Sequence, residues 1–249
     1  MNAAGIAPVI CITQARIGST RLPGKVLLPI LGRPLLWWHL ARLKLACRLD
    51  RVVVATTDEP GSEGIVAVAE DLGIPVVRGS TEDVLARFQG VVEGFAAATV
   101  VRVTSDCPLI DPGLIDRAIE RYEAAEPRLD YLSIDIARLP RGFDAEIFSR
   151  AAFDTAFREA TDLADREHVS RFIWRQPERF AVAHYADEGA RHGAFRLCVD
   201  EAADFDLVGR VIEALAPGGL DFGWRAVVDL LEARPDWQAL NAHIRQKNG

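Results

Sequence analysis

Cysteine is scarce in this chain and never paired: Cys11, Cys47, Cys107 and Cys198 stand far apart, with no CxxC spacing. That argues against a disulfide framework, and the four read as buried or inert thiols of a reducing cytoplasm. Histidine does not help a metal site either, because His39, His168, His184, His192 and His243 are dispersed, and zinc sites need clustered His and Cys ligands. No run approaches the ~18 apolar residues of a membrane span, and no charged segment followed by an apolar one opens the chain as in a signal peptide. Positive charge is in the minority, 29 Lys and Arg against 36 Asp and Glu, for a net charge of -7. A nucleic-acid or membrane-surface binder needs a broad basic face, which this balance does not supply. Repeats, low-complexity tracts and linkers are also missing. The expectation is a cytoplasmic protein with no nucleic-acid and no membrane partner.

What is present suits a globular enzyme. Of 249 residues, 49% are hydrophobic and 26% charged, enough to bury a sizeable core in one large domain or two small ones. Apolar runs at 9–13, 51–57, 74–79 and 99–104 alternate with amphipathic stretches at 34–46, 62–72 and from about 81. The second of these helices is closed by Gly73, the third opens on a cap at Ser80 or Thr81, and a further helix begins near Pro112. Strand and helix alternating at this spacing predict a parallel sheet with helices on both faces. Strands at 130–136, 143–148, 180–185 and 195–199, with helices at 150–159 and 165–175, follow less regularly. Two closing helices, "DEAADFDLVGRVIEAL" and "GWRAVVDLLEAR", end the pattern. The reading is one α/β domain over 1–249 carrying a smaller α+β lobe at about 126–195.

The loop after the first strand, "ARIGSTRLPGK", concentrates Arg16, Arg21 and Lys25 with two glycines. In an open parallel sheet ligands bind outside the carboxyl ends of the strands, and this loop is the usual phosphate cradle. It is not a Walker A loop: five residues separate Gly18 from Gly24, and Val26 follows the lysine. A dinucleotide G-x-G-x-x-G is absent too. A solvated basic turn is the plain alternative, and for Arg21 alone it is as good. For Arg16, Gly18, Ser19, Gly24 and Lys25 together the pattern favours a phosphate, which backbone N–H groups, a hydroxyl and cations can hold. Asp106 in "TSDCPLID" falls just past the fourth strand, and Asp200 ends the last apolar run. Each alone reads as an ordinary helix cap. Together they are hard oxygen donors of the kind that holds Mg2+ against phosphates.

These segments, with "VVRGSTEDVLARF", "DYLS", "PRGFDAEIF", "REHVSRFIW" and "VDEAADFDLV" in order, resemble the cytidylyltransferases that activate acidic sugars. That superfamily includes CMP-3-deoxy-manno-octulosonate synthetase and acylneuraminate cytidylyltransferase, and the likeness is greatest to the branch typified by spore-coat polysaccharide biosynthesis protein F. The resemblance implies a Rossmann-like, GT-A-like nucleotidyltransferase fold, a three-layer sandwich shared with nucleotide-sugar glycosyltransferases. It implies transfer of CMP from CTP to a small acidic acceptor for cell-surface polysaccharide synthesis, with Mg2+ as cofactor, in a homodimer. On that reading Arg16 and Lys25 bind the CTP phosphates beside Ala15, Gly18, Ser19 and Thr104. Gly79 and Ser80 lie near the base or ribose, and Asp106 and Asp200 hold the metal. Arg102, Arg141, Glu167 and His168 match positions facing the acceptor, although Glu167 and His168 suit a helix or dimer contact equally. The chain departs from the pattern at Ser105, where Gly is usual, and at Glu201-Ala202, where Thr-Pro is common. The tract between "DYLS" and "PRGFD" is also short. A phosphonate or other non-sugar acid as acceptor, a related glycosyltransferase and an idle nucleotide-binding subunit are the alternatives. Asp106-Cys107-Pro108 is not the DxD expected of the glycosyltransferase.

Overall fold

The computed structural model describes residues 8–245. The elements in chain order are β1 (Val9–Gln14), a 3-10 turn (Lys25–Leu27), β2 (Pro29–Ile30), β3 (Arg33–Pro34), α1 (Leu35–Leu43), β4 (Arg51–Thr57), α2 (Glu63–Asp71) and β5 (Val76–Gly79). Then come α3 (Val84–Gly94), β6 (Thr99–Thr104), α4 (Pro112–Glu123), β7 (Tyr131–Ile134), β8 (Glu146–Ser149), α5 (Arg150–Glu159), α6 (Leu163–Glu167), α7 (Arg171–Trp174) and β9 (Val182–Tyr185). The chain finishes with α8 (Ala202–Leu215), a 3-10 turn (Ala216–Gly218), α9 (Trp224–Glu232) and α10 (Pro235–Gln238).

Seven strands form one sheet in the order β5-β4-β1-β6-β8-β7-β9, while β2 and β3 make a separate hairpin. Pairing is parallel from β5 to β6, antiparallel at β6–β8 and β8–β7, and parallel again at β7–β9. The segment 126–195 therefore adds strands to the same sheet as the rest of the chain. Because side chains alternate along a strand, β1 feeds both faces. Val9 and Cys11 belong to one core with Leu36 of α1, Ile65 of α2, Leu114 of α4, Val211 of α8 and Val227 of α9. Ile10 and Ile12 belong to the other, with Phe88 of α3, Phe153 of α5 and Ile173 of α7. This is the mostly parallel three-layer sandwich that the resemblance implies, and near-continuous β-branched runs such as "RVVVATT" are what a doubly covered sheet demands.

Four local expectations change. The helix read over 165–175 is broken into α6 and α7 because Val169 takes φ 53, which lets the Ser170 hydroxyl donate to Glu146 Oε1 at 2.7 Å. The cap of α3 is Asp83, not Ser80 or Thr81: its carboxylate accepts from the Ala86 amide at 2.9 Å. Segment 195–199 pairs with its neighbour only at an isolated bridge, Arg141 with Arg196. Finally, Pro34 precedes α1 instead of opening it, since it is spent in the β2–β3 hairpin.

Candidate active site

Strands β1 and β6 are neighbours in parallel register, with Gln14 opposite Thr104. They end at one sheet edge, so the loops that follow them face each other across it. The first loop folds on itself: the amides of Ser19 and Gly24 both donate to the Ile17 carbonyl, at 2.9 and 3.3 Å, and the Leu22 amide donates to Ser19 Oγ at 3.3 Å. Gly24 then takes φ 68, a conformation open to glycine at little cost, and reverses the chain into the turn that carries Lys25. A Cβ on Gly18 would meet nothing within 4 Å. Open space, not crowding by the protein, lies against that backbone.

The second loop is pinned from beneath by α1. His39 Nδ1 donates to the Cys107 carbonyl at 2.9 Å, which leaves Nε2 to accept from the Thr13 hydroxyl at 2.9 Å. Burial lowers the His39 pKa to about 4, so the ring stays neutral, as that donor–acceptor pattern requires. Arg42 donates to the carbonyls of Ile110 (2.9 Å) and Leu109 (3.2 Å), and also reaches Leu220 and Phe222. The Asp106 carbonyl accepts from the Val199 amide at 2.8 Å. That bond delivers Asp200, distant in sequence, to the side of Asp106.

Lys25 closes the site. Its ammonium donates to Asp106 Oδ2 at 2.8 Å, to Asp200 Oδ1 at 2.9 Å and to the Val199 carbonyl at 2.6 Å. Burial opposes its charge, but the two carboxylates more than offset this and raise its pKa above that of an ordinary lysine. Asp200 is shifted the other way: burial disfavours its charge, yet Lys25, Arg196 (2.6 Å) and Arg21 (3.0 Å) hold it below the usual carboxylate range. Glu201, where the resemblance leads one to expect Thr, has its amide held by Asp204 Oδ2 at 3.0 Å, together with that of Asp200. The start of α8 is thus fixed without Thr-Pro.

A cleft of about 250 Å³ opens over these groups. Of the residues expected from sequence, Ala15, Arg16, Gly18, Ser19, Lys25, Thr104, Asp106 and Asp200 line it, and so does Glu167. Arg16 is exposed there. Gly79 and Ser80 do not line it. A Cβ on Gly79 would stand 3.1 Å from Arg87 Cγ, and Arg87 reaches over to the carbonyls of Ser80 and Thr81. Arg102 is engaged with Glu146 and with Gln14 Oε1 at 3.3 Å. Glu146 also accepts from Tyr131 (2.7 Å), and although burial opposes its charge, Arg102 and these hydroxyls keep its pKa low. Arg141, one-third exposed, lies 4.0 Å from Asp144. His168 ends α6. Sequence reasoning missed Gln14, Thr20, Val26, Val84 and Arg87 as lining residues, singled out Ser105 only as a departure from the pattern, and left Arg21 undecided. The position of Gln14 at a strand end was the one available signal.

The sequence profile of the family described as Cytidylyltransferase matches residues 10–215. The chain belongs to the cytidylyltransferase family. It is a CTP-dependent nucleotidyltransferase, and its relatives agree with that. The spore coat polysaccharide biosynthesis protein SpsF of Bacillus subtilis is 32% identical over 234 residues, covering 92% of this chain and 95% of the relative. The 3-deoxy-manno-octulosonate cytidylyltransferase of Bdellovibrio bacteriovorus is 34% identical over 128 residues, 51% of this cytidylyltransferase and 50% of its own length. A solved cytidylyltransferase from Leptospira borgpetersenii superposes with a TM-score of 0.89 at 27% identity, covering 98% and 100% of the two chains. Among the described residues of this cytidylyltransferase, no helix is long and apolar enough to cross a membrane.

Proposed function

We propose that the protein transfers CMP from CTP to an acidic sugar, of the 2-keto-3-deoxy or nonulosonic-acid type, for cell-surface polysaccharide synthesis. The observation that carries this is the convergence of Lys25, Asp106 and Asp200 under a cation-lined cleft at the sheet edge. An acceptor hydroxyl oxygen attacks the α-phosphorus and its proton passes to water, the bond from the α-phosphorus to the α,β-bridging oxygen breaks, and pyrophosphate leaves with that electron pair. Arg16, Arg21 and Lys25 offset the charge on that leaving group, the kind of transition-state stabilisation on which phosphoryl transfer depends.

The donor set fits Mg2+. Two carboxylates meet around the Lys25 ammonium, itself a stand-in cation, and no cluster of three His, Cys, Asp or Glu able to hold a metal exists among the described residues. Mg2+ is commonly held by one or two carboxylates, with substrate phosphates and water filling the rest of its shell. Asp106 and Asp200 would hold it, and the chemistry it supplies when bound is charge neutralisation at the α-phosphate.

On the acceptor side, Arg102 is occupied by Glu146, so Arg141 is the planar fork that can grip a carboxylate through two parallel bonds. Glu167, which lines the cleft, and His168, at the end of α6, face the acceptor. The 126–195 segment forms the acceptor and dimerisation lobe. A pyrophosphate-release screen of four NTPs against a panel of acidic acceptors tests the reading. Release is expected with CTP and an acidic sugar. Preference for another NTP, or for a phosphonate over every sugar acid, overturns it.

A further inference from the structure

We infer that Lys25 keeps a divalent cation out of the Asp106–Asp200 pair until a nucleotide draws the lysine away, so that the protein has no metal site of its own without CTP. This rests on the metal reading given above. An ammonium has three protons to donate, and Lys25 spends all three inside the protein: on Asp106 Oδ2 (2.8 Å), Asp200 Oδ1 (2.9 Å) and the Val199 carbonyl (2.6 Å). In this state it has none left for a phosphate. Its charge also sits between the two carboxylates that would hold a metal. Asp200 is more closely guarded still, because Arg21 shares Oδ1 at 3.0 Å and Arg196 holds Oδ2 at 2.6 Å.

A cation arriving alone must displace a bound ammonium and then sit within a few ångströms of it. Like charges that close and half-buried repel strongly. A triphosphate changes the balance. Its oxygens offer the ammonium new partners next to Arg16, and the four-carbon stem of a lysine can swing between two positions while its backbone stays fixed by the turn after Gly24 and by buried Val26. Once the lysine has moved, Asp106 is left with charge to be neutralised by the incoming ion, and Asp200 Oδ1 keeps only Arg21. Nucleotide and cation then bind with positive coupling, and by linkage each raises the affinity of the other by the same factor.

The test uses Mn2+ as the probe, followed by the electron paramagnetic resonance signal of the free ion, on the full chain. Without nucleotide, Lys25→Met should bind Mn2+ at least tenfold more tightly than the wild type. A thermal-shift assay on the same samples should show Mn2+ raising the melting temperature of Lys25→Met but not of the wild type. Lys25→Gln, which keeps one hydrogen bond to the carboxylates, serves if the methionine variant folds poorly. With α,β-methylene CTP present, wild-type binding should exceed that of the analogue alone and be lost in Asp200→Asn. If wild type and both variants bind Mn2+ alike without nucleotide, whether tightly or not at all, Lys25 is not the barrier and the inference is overturned. If Mn2+ binding with the analogue is untouched by Asp200→Asn, the two-carboxylate metal site itself falls, whatever the lysine variants show.

Discussion

A lysine that bridges two carboxylates contributes to folding as well as to chemistry. Lys25→Ala should lower turnover by about 10²-fold, the scale of losing one transition-state charge stabiliser. It should also lower the melting temperature, since Asp106 and Asp200 would then face each other without the cation between them; steady-state kinetics and calorimetry check the two effects separately. Asp144 shows the opposite balance. Partial burial, joined by the nearby charges of Asp106 and Glu146, pushes its one-third-exposed carboxyl up to about 6 despite a hydrogen bond from the Gly142 amide and the closeness of Arg141. The folded state therefore holds its proton more tightly than the unfolded chain does. The associated stability is fully present below the unfolded value near 3.8 and is lost as pH rises through about 6. Asp144→Asn, which keeps an oxygen for the Gly142 amide, should raise the melting temperature at pH 8 and change it little at pH 3.5. An equal shift at both pH values would mean that the ionised form is not the cause.

At the scale of elements, Glu146 ties three pieces of chain together: β6 through Arg102, β7 through Tyr131, and the turn before α7 through Ser170. Glu146→Ala strands the Arg102 guanidinium in a largely buried place, so a loss of about 3–5 kcal/mol is expected in urea unfolding, as when one partner of a buried ion pair is removed. This network also marks where sequence reasoning stopped. Residues 51–57, 99–104 and 150–159 read from the sequence as β4, β6 and α5 because period and punctuation agree over the whole element. The break at Val169 carries no Gly or Pro signal; it is imposed by tertiary bonds to Glu146, a strand away. Asp106, Asp200 and the loop cations were legible because strand ends and charged residues coincide there. Arg87 was not, since an arginine on a helix reads as solvated surface, whereas here it is 3% exposed and bound to the carbonyls of the preceding loop. Nor could spacing show that Arg102 is already committed to Glu146.

Across the whole molecule, four large apolar side chains are exposed among the described residues. Two of the four, Leu163 (84%) and Trp174 (40%), lie on the short helices of the 126–195 segment, while Leu31 and Leu45 lie elsewhere, and β9 is an edge strand among the described residues. A homodimer covering this face is expected, and light scattering at micromolar concentration should report twice the mass of 27.3 kDa. A monomeric mass would remove the dimerisation role from the segment. The two cores, one on each face of the sheet, bear on motion in the site. β1 and β6 are paired on both sides and covered on both faces, so their amides should be the slowest in the molecule to exchange with deuterated solvent, opening only with global unfolding. Lys25 stands on a turn outside the sheet ladder, held by its own backbone bonds and by buried Val26, whereas Asp106 lies two residues past β6. Exchange measured residue by residue should therefore divide the site in two. The amides of residues 16–24 should exchange by local fluctuation, and those of β1 and β6 only when the whole fold opens. Charge carriers on a loop outside the ladder would thus be presented to a carboxylate, Asp106, anchored beside the last part of the protein to come apart.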